Sequence, residues 1–254
     1  MNFRFLVRAL LLALSAASLS CVIAMPPPAE QPPPPPAEEP AEDAPRLGAP
    51  PRGVLNALKP DRFTLNFGDA YLVHDPQSGV LQITAQGNVL SYGSGWTVRK
   101  VKSYLYHLRL DTWRDFYWQV NTSRKEVMRV RGGTFGSVLG GSKQSLSVAV
   151  DVRGGAGAGE PQQFTLRFPK AYMVYAIDDD ELQLIAEGNV LSYCRDWRRC
   201  KLNNNLYHFK QKEWDGFFWK VSTASKKAWR CRNGVICQPG GTDQPLSIRV
   251  DVTR

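Results

Sequence analysis

Residues 54–254 predict an all-β protein made of two tandem homologous domains, each a β-sandwich or a small barrel, behind a signal peptide and a proline-rich linker. Three observations carry this reading. The chain repeats itself at an offset of 101 residues: FTLNFGDAYLV lies on FTLRFPKAYMV, GNVLSY on itself and WRDFYWQV on WDGFFWKV. The repeated segments alternate apolar and polar residues with the two-residue period of a half-buried strand. Each copy also holds about seven such segments between turn signals, a number that suits a sandwich or barrel. The unit is far longer than a solenoid repeat and long enough to bury a small core.

The elements follow in chain order. MNFRFLVRALLLALSAASLSCVIA has two arginines, an apolar run and small residues, the plan of a secretory signal peptide over 1–24. Its apolar run falls short of the ~20 residues a bilayer crossing needs, so no transmembrane helix is expected. Cleavage after VIA competes with lipidation of Cys21 in SLSC, a loose lipobox, so attachment to a membrane would come only through a lipid anchor. Residues 25–53 are proline-rich and acidic, with no apolar period, and read as a disordered, semi-rigid spacer. The first β domain spans 54–153, a Gly-rich linker 154–162 and the second β domain 163–254.

Within a copy, VLQITAQGNVLSY reads as a hairpin with Gly87 and Asn88 in a type II′ turn, Ala85 opposite Leu90 and Ile83 opposite Tyr92. A meander follows: YLYHLRL, FYWQV and VMRVR, separated by polar turns. RFTLNF, AYLVHD and SLSVAVDV add the remaining strands. Trp118 and Trp219 fall on the apolar face and read as core. On the opposite face of the meander the alternation places His107, Arg109, Tyr117, Gln119, Arg129 and Arg131, matched in the second copy by His208, Lys210, Phe218, Lys220, Arg230 and Arg232.

Cys194, Cys200, Cys231 and Cys237 lie in the second copy, an even number that in an exported chain reads as two disulfides. A six-residue strand spans roughly 20 Å, which separates the two ends of the meander and predicts the pairs Cys194–Cys200 and Cys231–Cys237. Their spacing is not that of a zinc ribbon, and the acidic run at 178–181 reads as a solvated hairpin tip, so no metal and no cofactor is expected.

The net charge is +9, and each copy carries +5 when the chain from 54 is split at residue 160. A basic exported protein points to polyanionic partners. No nucleophile elbow or triad motif accompanies His74, His107 and His208. The function expected is a non-enzymatic binding module, secreted or held in the cell envelope, periplasm or at the cell surface, that recognises an anionic glycan or other polyanionic polymer rather than nucleic acid. Its candidate surface is the cationic and aromatic face named above, with Trp96 and Trp197 in basic loops as further candidates. The alternatives are a hydrolase of an envelope or extracellular polymer, whose residues are dispersed in sequence, and a self-associating structural protein.

Overall fold

The computed structural model describes residues 60–154 and 159–253. The leader, the spacer and Cys21 lie outside the described residues. The chain divides into units at 1–51 and 52–254, and the second carries every element below.

The described residues form eighteen strands and no helix, so no helix is long and apolar enough to cross a membrane. The first copy supplies β1 (Arg62–His74), β2 (Leu81–Ala85), β3 (Asn88–Ser91), β4 (Trp96–Lys102), β5 (Leu105–Leu110), β6 (Phe116–Asn121), β7 (Glu126–Gly133), β8 (Gly140–Ser145) and β9 (Ala149–Arg153). The second repeats the order as β10 (Gln163–Ala176), β11 (Glu181–Ala186), β12 (Asn189–Ser192), β13 (Trp197–Asn203), β14 (Leu206–Gln211), β15 (Phe217–Ser222), β16 (Lys227–Arg232), β17 (Thr242–Pro245) and β18 (Arg249–Thr253). RFTLNF and AYLVHD merge into the single long β1. The register shifts at Gly68, whose φ of +73° suits the bend of a bulge.

The meanders form two five-stranded sheets, β4–β8 and β13–β17. The other eight strands form one sheet in which the copies interleave. β1 pairs antiparallel with β10 along its whole length, and the pairing repeats about its own midpoint: Phe63 faces Tyr175 as Phe164 faces His74, and Thr64 faces Val174 as Thr165 faces Val73. The last strand of each copy then flanks the first strand of the other, with Phe63 beside Val252 on β18 and Phe164 beside Val152 on β9.

This pairing sends the start of each copy into the partner copy's core. The Phe63 ring lies 5.1 Å from Tyr207 and 5.8 Å from Phe209, both on the second meander. Phe164 lies 5.0 Å from Tyr106 on the first. Trp118 packs on Phe168 and Trp219 on Phe67 in the same crossed fashion. One continuous hydrophobic core results, and both tryptophans are fully buried within it.

The repeated GNVLSY has its structural explanation here. Gln86 and Gly87 have φ of +50° and +67°, and Ala85 faces Asn88, so the turn is the Gln86–Gly87 pair in a type I′ geometry. The expected Gly87–Asn88 type II′ turn is one residue out of register. Glu187 and Gly188 repeat the geometry, with φ of +49° and +66°. β3 and β12 end up at the two edges of the eight-stranded sheet, where unpaired backbone groups need cover. The opposite copy provides it. Trp197 and Trp214 donate indole N–H bonds to the carbonyls of Leu90 (2.9 Å) and Val89 (2.9 Å), and Trp96 and Trp113 donate to Leu191 (2.8 Å) and Val190 (3.1 Å). Arg230 donates to Asn88 Oδ1 at 2.8 Å, and Arg129 to Asn189 Oδ1 at 2.9 Å. Each sextet is the edge strand on which the other copy's tryptophans and arginine close.

Candidate functional site

The outer faces of the two meanders place the sequence-predicted residues in three different environments. His107 and His208 are fully buried, and Tyr117 and Phe218 are nearly so, at 4% and 2% exposure. The cause is a loop the alternation does not reveal. After β7 the chain from 134 to 139 folds back over the sheet, and the Gly136 N–H donates to His107 Nδ1 at 3.0 Å. After β16 the same return brings the Cys237 N–H to His208 Nδ1 at 3.3 Å. These four residues therefore form the floor beneath a loop rather than a solvent-facing surface.

Arg129 and Arg230 correct the facial assignment. On β7 the partner of Trp118 is Arg129, and that of Tyr117 is Val130. The face is one residue out of the expected phase, which inverts every side chain on the strand. Arg129 and Arg230 turn inward to their cross-copy asparagines, each 5.2 Å and 5.0 Å over the rings of Phe116 and Phe217. Arg131 and Arg232 share that phase and emerge into solvent at the strand ends. Trp96 and Trp197 are not loop tips: both open strands and are held in the clasp, Trp197 buried and Trp96 half-buried. Lys220 is half-buried and paired with Asp243 at 2.8 Å, while Lys210 is half-buried on the outer face.

Both loop-covered histidines are held neutral at physiological pH. Burial and then the charge of Lys143 bring His107 down to about 4 from an ordinary 6.5, and burial and then Lys220 bring His208 down to about 4. With Nδ1 accepting a backbone N–H, the proton sits on Nε2. For His107 that nitrogen is 3.3 Å from the Gln119 amide, whose oxygen accepts once the amide is flipped. His208 Nε2 has no protein partner. The unfolded chain takes up these protons near pH 6.5, whereas the folded one does not until about pH 4. Stability should therefore fall as pH drops between those values, by about 1.4 kcal/mol per pH unit for each histidine, and stop falling on their account below pH 4. Urea unfolding across pH 4–7 checks this, with His107→Gln plus His208→Gln flattening the slope.

A groove in the first copy remains open to solvent beside these residues. A concavity of about 350 Å³ is lined by Arg109, Arg114, Asp115, Phe116, Tyr117 and Phe135, with Gly132 and Gly133 at its base. The Arg109 guanidinium lies 4.4 Å over the Phe135 ring, and Arg99 lies 5.7 Å over the same ring. Among the described residues, Arg99, Arg109 and Arg114 form no ion pair. Arg109 follows from the alternation and Arg99 belongs to the basic segment after Trp96, but Phe135 and Arg114 carry no sequence signal. Only the loop's return brings Phe135 onto the sheet. In the second copy the 101-residue offset replaces Arg99 with Cys200, Phe135 with Ile236 and Arg114 with Asp215, so the groove belongs to the first copy alone.

The cysteines also depart from expectation. All four are thiols, and neither Cys194–Cys200 nor Cys231–Cys237 is bridged. Cys194 is buried below Ser192, with its backbone N–H on Ser192 Oγ at 3.2 Å. Burial pushes its thiol up to about 12. Cys231 is fully buried on β16, its thiol directed to the Gly240 carbonyl at 3.4 Å. The returning loop instead brings Cys237 to Cys200, which removes the premise that the ends of the meander stay a strand length apart.

The acidic run at 178–181 is occupied in part by protein contacts. Asp180 accepts from the Tyr175 hydroxyl at 2.8 Å and pairs with Arg199 at 3.1 Å. Among the described residues no group of histidine, cysteine and acidic side chains has the arrangement of a metal site.

Fold and site together define an all-β protein of three sheets with an arginine–aromatic groove among the described residues. Compared with protein-family models, curated proteins and solved structures, the chain has no match.

Proposed function

We propose that this chain is an exported, non-enzymatic binding module, arisen by tandem duplication and displayed in the cell envelope or outside the cell, that holds an anionic glycan or other polyanionic polymer in the groove of its first copy. The observation that carries the reading is the stacking of Arg99 and Arg109 on Phe135 with no carboxylate paired to either. Guanidinium forks hold carboxylate, sulfate or phosphate groups through paired hydrogen bonds. Two of them over one ring repel each other, so an anion between them is favoured by charge as well as geometry. A ring beside the cations offers a flat surface for a sugar face. Asp115 is the acidic residue of the groove's lining.

Hydrolysis of such a polymer through paired carboxylates would need two acids facing one another, and the groove lining holds Asp115 with Arg109 and Arg114. The fuller set of cationic positions read from the alternation is thereby narrowed to Arg99, Arg109 and Arg114, with Arg131 exposed on the same strand system as a peripheral cation. The reading is tested with dextran sulfate as the probe. Arg99→Glu with Arg109→Glu should weaken binding by about tenfold or more at low salt, and the parent's affinity should fall steeply as salt rises. Equal binding by parent and variant across the salt titration would remove the groove as the site.

A further inference from the structure

The second copy replaces the arginine–aromatic loop anchor with a pair of cysteines. Cys200 lies on β13 directly opposite His208 on β14, so both side chains share the outer face. The loop after β16 crosses that face and is tethered there by the Cys237 N–H bond to His208. At this point the Cys200 thiol meets Cys237 in hydrogen-bonding contact. Both are partly open to solvent, unlike Cys194 and Cys231.

The backbone places the same contact in both copies. Cys237 has φ of +72°, in the left-handed region that L side chains rarely adopt. Its counterpart in the first copy is Gly136, with φ of +89°. A Cβ placed on Gly136 would come within 3.0 Å of Arg99 Cδ. The loop and the strand thus touch at the same place in both copies, and the second copy puts a side chain where the first has room only for glycine. Cys194, at φ +43° with Gly93 as its counterpart, shares this backbone, so the conformation does not by itself call for a bond; what sets Cys237 apart is that Cys200 is in reach of its side chain.

We propose that Cys200 and Cys237 form a disulfide that staples the 233–241 loop to β13, while Cys194 and Cys231 remain thiols. The oxidant is a disulfide of low molecular mass. A cysteine thiolate attacks it and displaces one reduced thiol, and the second cysteine then displaces the other. The two cysteines lose two protons and two electrons, and the oxidant becomes two thiols. Exchange of this kind requires access to the attacking sulfur, which the two partly exposed cysteines have. Cys194, buried and with its thiol at about 12, does not meet that condition. The staple fixes in the second copy the loop that in the first rests through Phe135 on Arg99 and Arg109, and its formation is independent of what the groove binds.

The test uses the full chain equilibrated with excess oxidised glutathione, then unfolded, alkylated without reductant and digested with trypsin. Cleavage after Arg195, Arg199, Lys201, Arg230 and Arg232 leaves each of the four cysteines on its own peptide. The expected product is the Cys200–Lys201 dipeptide linked to the 233–249 peptide, with Cys194 and Cys231 alkylated. Linkage of Cys200 to Cys194, linkage of Cys237 to Cys231, or alkylation of both Cys200 and Cys237 would overturn the proposal. Reduction should also speed proteolysis of the 233–241 loop by about tenfold in the parent, and Cys200→Ser should make that rate independent of reductant. An unchanged parental rate would mean that the bond does not hold the loop. If Cys200→Ser does not fold, the parental peptide map decides the pairing.

Discussion

Residues 54–159 expressed alone should yield no folded monomer, and neither should 160–254. The length of each copy suggests a self-sufficient domain, but the strand pairing gives the opposite result. Without β10 and β18, the first half of β1 loses both of its neighbours and exposes Phe63, Leu65 and Phe67, each less than 5% exposed in the intact chain. The first meander loses Phe164, Leu166 and Phe168, which are fully buried against it. Full burial of one such side chain contributes about 1.5–3 kcal/mol, so six lost together, about 9–18 kcal/mol, are comparable to the whole 5–15 kcal/mol net stability of an ordinary domain. A single copy has one way to recover these contacts. Since β1 and β10 pair about a common midpoint, β1 of one molecule pairs with β1 of another in the same antiparallel register. Sedimentation with circular dichroism should therefore find unfolded chain at low concentration and β-rich dimer at high concentration. A folded monomer at all concentrations would show that the copies are independent.

Phe63→Ala should destabilise the whole chain by about 3–5 kcal/mol, the usual cost of emptying a buried aromatic site. The informative part is which copy responds. Phe63 belongs by sequence to the first copy, yet its ring packs on Tyr175, Tyr207 and Phe209 of the second. A double-mutant cycle with Phe209→Ala should show a coupling of about 0.5–3 kcal/mol, as residues in contact do. A similar cycle between Phe63→Ala and Leu108→Ala, within one copy but with no ring shared, should be additive. Additivity in the first cycle would contradict the crossed packing.

The strands of this fold were legible in the sequence because their signal is local. YLYHLRL, FYWQV and VMRVR became β5, β6 and β7 with boundaries shifted by a residue or two. The alternation cannot name a strand's neighbour, however, and the neighbour of β1 is a hundred residues away. It also misassigned β7, because Val130 is apolar and fully buried yet lies on the outer face. There a loop, rather than the opposing sheet, keeps it from water. Arg129 shows the converse. It is a cation on the inner face, held by one Nη on Asn189 Oδ1 and the Glu187 carbonyl and stacked on the Phe116 ring, while its buried Nε has no hydrogen-bond partner. β8 carries Gly-Gly-Ser-Lys-Gln-Ser, which is exposed throughout and has no apolar period to read. The candidate groove was half visible: Arg109 follows from alternation, while Phe135 needed the return of a loop that no periodicity encodes.

The clasp between the copies was hidden for the same reason. GNVLSY is a hairpin strand by local reading, and its repetition marks the two edges that face the other copy's indoles and arginine. The tryptophans that looked like exposed ligand platforms are consumed in that contact. Their removal from the candidate surface leaves the two arginines that converge on the Phe135 ring as the candidate site.

The claim that this groove, and not the general positive charge, holds a polyanion is tested most directly by comparing two charge reversals of equal size. Arg99→Glu with Arg109→Glu changes the groove, and Lys226→Glu with Lys227→Glu changes the exposed junction of a turn with β16 in the second copy. Binding of both variants and the parent to dextran sulfate is measured by calorimetry over a range of salt. The account predicts about a tenfold or greater loss of affinity for the groove variant, with a shallower salt dependence, and a change of less than about twofold for the turn variant. Equal losses in the two variants would show that net charge alone attracts the polymer and would contradict a built site at Phe135.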